Sequence, residues 1–298
     1  MQPSTSPRRA GLLLAVGAYV LWGVLPLYLR LLNSVPPLQI LAHRVLWSLL
    51  LLAVIVAFLR VGPALRTAAR GRTLLLLTGS AALIAFNWLV YIWAVQNHHV
   101  LEASLGYFIN PLVNVALGLL LLGERLRRLQ KAAVAIAALG VVVMASGGGM
   151  LWISVTLAIS FGFYGLIRKV AAIDALGGLT METLLLAPAC VALLAYAHAG
   201  GKGVFGPDLR LDALLVVAGA VTAAPLLMFA AAARQLPYST LGLLQYIAPT
   251  LQFLQAVLLF GEPVSHLQLA VFALIWGGCA LFAWDSIVAQ RASAQRDG

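Results

Sequence analysis

Long apolar runs alternate with short polar and basic connections along this chain from residue 11 to residue 287. They fall at 11–32, 38–59, 73–96, 103–122, 130–147, 150–170, 177–198, 211–233, 239–260 and 266–287. At about 1.5 Å per helical residue, each is long enough to cross a hydrocarbon layer of roughly 30 Å. The pattern predicts an all-α membrane protein with ten transmembrane helices, called spans one to ten below. The first run is about 22 residues long, carries Trp22 and Tyr28 and lacks a small-residue cleavage site, so it is expected to be a retained helix rather than a signal peptide. No connection is long enough to hold a soluble domain.

The runs also repeat. Sliding the chain by 138 positions pairs Pro111 with Pro249, Gly123 with Gly261, Glu124 with Glu262, Gln130 with Gln268 and Gly140 with Gly278. In the other direction the same slide pairs Arg30 with Arg168 and Gly11 with Gly149. Ungapped register over most of a half predicts a duplicated five-helix unit. The expected organisation is a cytoplasmic leader at 1–10, a first repeat at 11–147, a second at 149–287 and a cytoplasmic tail at 288–298. An odd number of spans per copy sends the second copy into the membrane from the other side. The halves are therefore expected to be inverted repeats about an axis in the membrane plane.

Composition agrees with this picture: 62% of residues are hydrophobic and 9% charged, which excludes a soluble fold of this length. The net charge of +10 could suggest nucleic acid, but its distribution points to topology. With the N-terminus in the cytoplasm, fifteen Lys and Arg fall on inner segments and three on outer ones. That bias predicts both termini cytoplasmic and no nucleic-acid partner.

Polar side chains inside the spans mark the candidate substrate path. In span four Tyr107, Asn110, Asn114 and Gly118 recur at three- and four-residue spacing, hence on one face. Span nine carries Gln245 with Tyr246 beside it, then Gln252 and, less well aligned, Gln255. Gln245 and Gln252 are the repeat mates of Tyr107 and Asn114. Both spans hold a proline, Pro111 and Pro249, expected to free a carbonyl and kink the helix. Span three adds Asn87 and Tyr91, with Trp88 and Trp93 nearby. Such faces either line a cavity or act as interhelical glue, at about 1 kcal/mol per hydrogen bond.

Two charges lie deeper still. Arg44, preceded by His43, sits about six residues into span two, roughly 9 Å deep, and its repeat mate Glu182 sits at a similar depth in span seven. Either would cost at least about 3 kcal/mol if buried unpaired. Inversion places the two at mirrored depths, so separate partners are expected. These are an outer cluster of His43, Arg44 and Glu102, and an inner one of Glu182 with Arg168, Lys169 or Arg234. Each would close one mouth, or serve only as a structural ion pair. Glu102 and Glu182 are the candidates to carry a coupling proton.

Other features carry less. Cys190 and Cys279 read as small buried hydrophobes, His98 and His99 as a solvated pair, and the Gly-Glu pairs at 123–124 and 261–262 as helix C-terminal signals. Small residues in span five, Ala133, Ala137 and Gly140, suit close helix packing. No phosphate-binding glycine loop, zinc-protease pair or nucleophile elbow occurs, so no cofactor is expected and any driving force would come from an ion or from exchange.

The stretches AYVLWGVLPLY, LAHRVLWS, NWLVYIWAV and EASLGYFINPL, then SFGFYGLIRK, METLLLAP, PLLMFAAAARQLP and LGLLQYIAPTLQF, cover most of the chain. Together they resemble RarD-type permeases, a branch of the EamA family in the drug/metabolite transporter superfamily. The resemblance implies a ten-helix inverted-repeat fold in the bacterial inner membrane. It also implies a central cavity lined chiefly by helices 1, 3, 4, 6, 8 and 9, with 5 and 10 peripheral, and chloramphenicol-type efflux. The expected function is a secondary transporter that rocks its two repeats about a midplane site holding a small amphipathic metabolite or drug. Membrane lipids and protons are the other expected partners. An intramembrane lipid-modifying enzyme and a non-transporting scaffold are the alternatives, and oligomeric state is not readable from the sequence.

Overall fold

The computed structural model describes residues 7–60, 62, 65, 70–121, 128–146, 150–171, 173–233, 235–236 and 244–294, and all regular structure among them is helical. The helices are α1 (Pro7–Gly23), α2 (Leu25–Arg30), α3 (Pro37–Leu59), α4 (Gly71–Gln96), α5 (Val100–Leu121) and α6 (Arg128–Ser146). They continue with α7 (Leu151–Val170), α8 (Ala175–Ala199), α9 (Leu209–Ala233) and α10 (Ile247–Leu254), then a π-helical turn (Gln255–Leu259) and α11 (His266–Ala294). Six stretches of the described chain are long and apolar enough to span a membrane: Arg9–Arg30, Pro37–Leu59, Gly71–Gln96, Leu151–Val170, Ala175–Ala199 and Leu209–Phe229. Helix is the form such sequences must take in hydrocarbon, because each peptide group finds its hydrogen-bond partner within the segment. Gly123, Glu124 and Arg234 lie outside the described residues, as do the side chains of Pro111, Ala137 and Cys279 and the surroundings of Gly118.

Local chemistry sets the helix ends. Pro37 opens α3, where its missing N–H is not needed, and the Asp174 carboxylate accepts from Gly177 N at 2.9 Å to cap α8. The first span departs from the single run predicted at 11–32. It breaks between Gly23 and Leu25 because Pro26 offers no N–H to the Trp22 carbonyl. Leu27 N turns instead to Val24 O at 3.0 Å. The freed carbonyls are satisfied from span nine: Gln252 Nε2 donates to Trp22 O at 3.1 Å and Gln255 Nε2 to Gly23 O at 2.7 Å. Span nine also differs from the prediction. Pro249 sits in the first turn of α10, where it removes no interior hydrogen bond. The irregularity comes later, as the π turn, which closes with Phe260 N to Gln255 O at 2.9 Å.

Helix neighbours are specific. α3 packs on α8 and α9; α6 packs on α11; α5 packs on α10 and α7; α4 packs on α7; and α1 packs on α9 and α10. The largest buried cluster joins Leu29, Ile92, Leu105, Phe108, Leu157 and Phe272. Among the described glycines, two allow the closest approaches of backbone to backbone. A Cβ on Gly106 would lie 2.8 Å from Ser154 O, and one on Gly219 would lie 2.5 Å from the Trp47 carbonyl carbon. Both obstacles are backbone and cannot turn aside. Gly219→Val should therefore separate α9 from α3 and break the Ser48 Oγ to Gly219 O bond of 3.2 Å, costing at least about 3 kcal/mol. Fluorescence-detected gel filtration should show a lower melting temperature and less monodisperse protein. A variant as stable as wild type would show that the contact does not constrain the packing.

Candidate functional site

Arg44 is 3% exposed, and no acid among the described residues forms an ion pair with it. Its Nε donates to Thr222 Oγ1 of α9 at 3.0 Å, and its guanidinium carbon lies 5.0 Å from the Trp88 ring centroid. The phenols of Tyr28, Tyr91 and Tyr107 are within electrostatic reach, while Nη1 has no hydrogen-bond partner. The predicted outer cluster of His43, Arg44 and Glu102 does not form. One residue along a helix is about 100° of rotation, so α3 turns Arg44 inward and His43 onto Phe205, 5.3 Å away and stacked. Glu102 instead faces His99 at 3.6 Å, and His99 stacks on Trp93.

Around Arg44 lies a shell of buried polar groups. Asn87 Nδ2 donates to Leu157 O at 3.1 Å and to Ser160 Oγ at 2.9 Å, and Asn87 Oδ1 accepts from Tyr107 at 3.4 Å. Tyr91 packs edge-on against Tyr107 with centroids 5.6 Å apart, and its hydroxyl has no partner. Asn110, one turn beyond Tyr107, is fully buried with both amide atoms unpartnered. Thus α2, α3, α4, α5 and α9 bring Tyr28, Arg44, Tyr91, Tyr107, Asn87 and Thr222 into one interior region.

The other candidates of spans four and nine are not part of it. Asn114 is exposed, Gln245 is half-buried ahead of α10, and Gln252 is taken up by the Trp22 carbonyl. Tyr246 stacks on Phe108 at 6.0 Å, in the aromatic packing that also holds Trp276.

Glu182, the repeat mate of Arg44, is 1% exposed and well supplied with partners. It accepts from Ser80 Oγ of α4 at 2.6 Å and from Tyr164 OH of α7 at 3.4 Å, and faces Arg168 Nε at 3.8 Å. Arg168 was among the basic partners named from the sequence. The approach depends on Gly178, since a Cβ there would land on the Arg168 guanidinium.

At the opposite end of the bundle Glu262 makes contacts that the Gly-Glu reading missed. Gly261 does have the left-handed backbone of a helix terminus, with φ +64°. The Glu262 carboxylate, however, accepts from Val100 N at 3.0 Å and Leu101 N at 2.8 Å, capping α5 from 162 and 161 residues away. Arg30 joins it at 3.5 Å while lying 4.1 Å above the Phe260 ring centroid. Gln96 Nε2 ties the same end to Leu32 O at 3.0 Å and Val35 O at 2.8 Å.

Burial raises the pKa of Glu262 above the ordinary carboxyl value, against the lowering by the Leu101 and Val100 N–H groups and Arg30, while Glu102 adds to the rise. A raised carboxyl pKa means the folded chain holds this proton more tightly than the unfolded one. Its contribution to stability is therefore full below the ordinary carboxyl pKa and lost as pH rises through the raised value. Melting curves from acid to neutral pH should show this loss in wild type, and Glu262→Gln should flatten it. An unchanged profile would assign the pH dependence to another group.

A groove of about 520 Å³ between α3, α8 and the 200–208 connection has largely apolar walls. His43, Trp47, Leu194, His198 and Phe205 line it, away from Arg44. Cys190 is buried and free, and no group of three metal-ligating side chains converges among the described residues.

Sequence reasoning passed over Tyr28, Ser80, Tyr164, Ser160 and Thr222. A lone hydroxyl in an apolar span was the only available signal, and most such hydroxyls bond their own helix, as Thr183 does with Leu179 O at 2.9 Å.

Residues 9–146 match the model of the EamA-like transporter family. An uncharacterised transporter of Pseudomonas aeruginosa is 48% identical over 294 residues, covering 95% of this chain and 96% of that one. Protein RarD of Escherichia coli is 46% identical, with 96% and 98% covered. A second Pseudomonas aeruginosa relative, named chloramphenicol-sensitive protein RarD, is 37% identical, with 96% and 97% covered. A crystal structure of another protein superposes with a TM-score of 0.59 at 22% identity, over 92% of this chain and 97% of its own. That likeness bears on the fold alone.

Proposed function

Since the chain belongs to the EamA-like transporter family as a RarD-type permease, we propose that it is a secondary carrier working by alternating access. Its cargo would be a small amphipathic metabolite or drug crossing the cytoplasmic membrane. One observation carries this reading: the most extensive helix contacts among the described residues are preserved when the halves are exchanged. Spans two and seven, four and nine, and five and ten pack on each other, so each pair maps onto itself. Exchange also turns the contact of span three with six into that of eight with one, and of four with six into nine with one. A pseudo-two-fold axis produces such a list. With five spans per half, that axis lies in the membrane plane and exposes one site to either side in turn.

The bodies that rock are not the two repeats as the sequence divides them. Span one packs with eight and nine, and span six with three and four, so each body borrows a helix from the other half. The basic residues favour both termini in the cytoplasm, which makes the end carrying Arg30, Gln96 and Glu262 the outer one. In this conformation that end is closed. Glu182, set toward the inner end among Ser80, Tyr164 and Arg168, is the group we assign to carry the coupling proton; Glu102, paired with His99, sits at the outer closure instead.

Chloramphenicol, in the name of one relative, is the first probe. Vesicles containing the purified protein and loaded with unlabelled chloramphenicol should take up labelled drug by counterflow, faster than protein-free vesicles. A protonophore should abolish net accumulation but not counterflow. Absence of protein-dependent counterflow for chloramphenicol and for a broad metabolite panel would overturn the carrier reading.

A further inference from the structure

We propose that the transported molecule is an organic monoanion, a carboxylate on an apolar or aromatic body, and that Arg44 is its counter-ion. The proposal deepens the carrier reading and rests on it. Three acidic or basic side chains other than histidine are buried among the described residues: Arg44, Glu182 and Glu262. Glu182 has Arg168 and Glu262 has Arg30. Arg44 has a threonine and a tryptophan face.

A cation desolvated without an opposite charge is the costliest group a membrane interior can hold. A structural arginine at this depth would be expected to have an acid, as its own repeat mate has a base. The missing charge is therefore supplied from outside the chain.

The geometry narrows the class of ligand. Thr222 occupies Nε and leaves Nη1 unpartnered, and the Tyr91 hydroxyl, also buried and unpartnered, lies within electrostatic reach. Two donors near one another suit the two oxygens of a carboxylate. Asn110, with both amide atoms unpartnered, has a donor and an acceptor left for a polar substituent. One guanidinium balances one negative charge, and a dianion would leave the excess buried. The Trp88 ring lies against the guanidinium and the phenols of Tyr28, Tyr91 and Tyr107 stand within electrostatic reach, surroundings that favour a flat or apolar body over a small hydrated ion.

The test measures thermal stabilisation of the purified full chain in detergent, since a ligand of the folded state raises its melting temperature. The probes are benzoate and hexanoate, each against its neutral amide, with chloride and phosphate at equal ionic strength. The carboxylates are expected to stabilise and the amides, chloride and phosphate are not. Arg44→Gln should weaken carboxylate binding by about 30-fold or more, and Arg44→Lys by less, since hydrogen bonds to charged groups are the stronger kind. Tyr91→Phe removes only an unpartnered hydroxyl, so the apo protein should melt unchanged while carboxylate affinity falls about 5-fold. That variant keeps the test open if Arg44→Gln fails to fold.

Equal stabilisation by amides, equal stabilisation by chloride, or no stabilisation by either carboxylate would overturn the proposal. Carboxylate binding without flux in vesicles would leave the anion site and remove the carrier. Counterflow of uncharged chloramphenicol with no carboxylate effect would do the reverse.

Discussion

Glu182→Gln should uncouple the carrier without dismantling it. The amide keeps the size of the side chain and an oxygen for Ser80 Oγ, which donates to Glu182 Oε1 at 2.6 Å. It removes the charge facing Arg168 and the capacity to bind and release a proton. Proton-driven accumulation should fall at least about 10-fold, to simple equilibration, while counterflow persists. Glu182→Ala removes the oxygen as well and strands Arg168, at a cost of about 3 kcal/mol, moderated because Arg168 is 15% exposed and can reach the membrane boundary. The discriminating measurement is accumulation against counterflow in the same vesicles. If Glu182→Gln accumulates substrate as wild type does, the coupling proton resides elsewhere.

The second large effect is expected at Glu262, and it separates charge pairing from helix capping. Glu262→Ala loses two hydrogen bonds to the first turn of α5 and the partner of Arg30, for about 3 kcal/mol of stability and a leak at that end of the bundle. Arg30→Ala should cost about 1 kcal/mol, because that side chain is 18% exposed and already rests on Phe260. Exchanging the two, Arg30→Glu with Glu262→Arg, should not restore function. A guanidinium would bring donors to the Val100 and Leu101 N–H groups and a positive charge to the positive end of a helix. Passive leak and melting temperature of the three proteins give the answer. Full rescue by the exchange would reduce Glu262 to an ordinary salt-bridge partner.

What could be read from the sequence follows from the range of the interactions involved. Apolar run length locates the spans, and two ionisable residues in hydrocarbon stand out whatever their partners. Arg44 and Glu182 could be named for that reason and Asn87 as an amide well inside a span, while Arg168 could be named as a partner because it lies at the end of span six that meets the start of span seven. Partner choice for Arg44 depended on which way each turn of α3 faces, and depth alone favoured Glu102. The break at Gly23 was hidden because Pro26 lies near the end of an otherwise apolar run. Gln252 and Gln255 looked like cavity residues, since nothing local reveals that two carbonyls more than two hundred residues earlier lack donors. Glu262 was read as a local stop signal because the N–H groups it serves belong to a helix from the other half of the chain.

The packing of α1 also bears on how the protein is made. Its close neighbours are Met228, Leu251 and the Gln235–Leu236 pair, approached at Gly17, Gly23 and Gly11. All of them are synthesised some two hundred residues after the helix itself. This helix must therefore wait in lipid, its glycines uncovered, until α9 and α10 have been inserted. Truncation before α9 should leave that segment without its berth, a natural signal for membrane quality control.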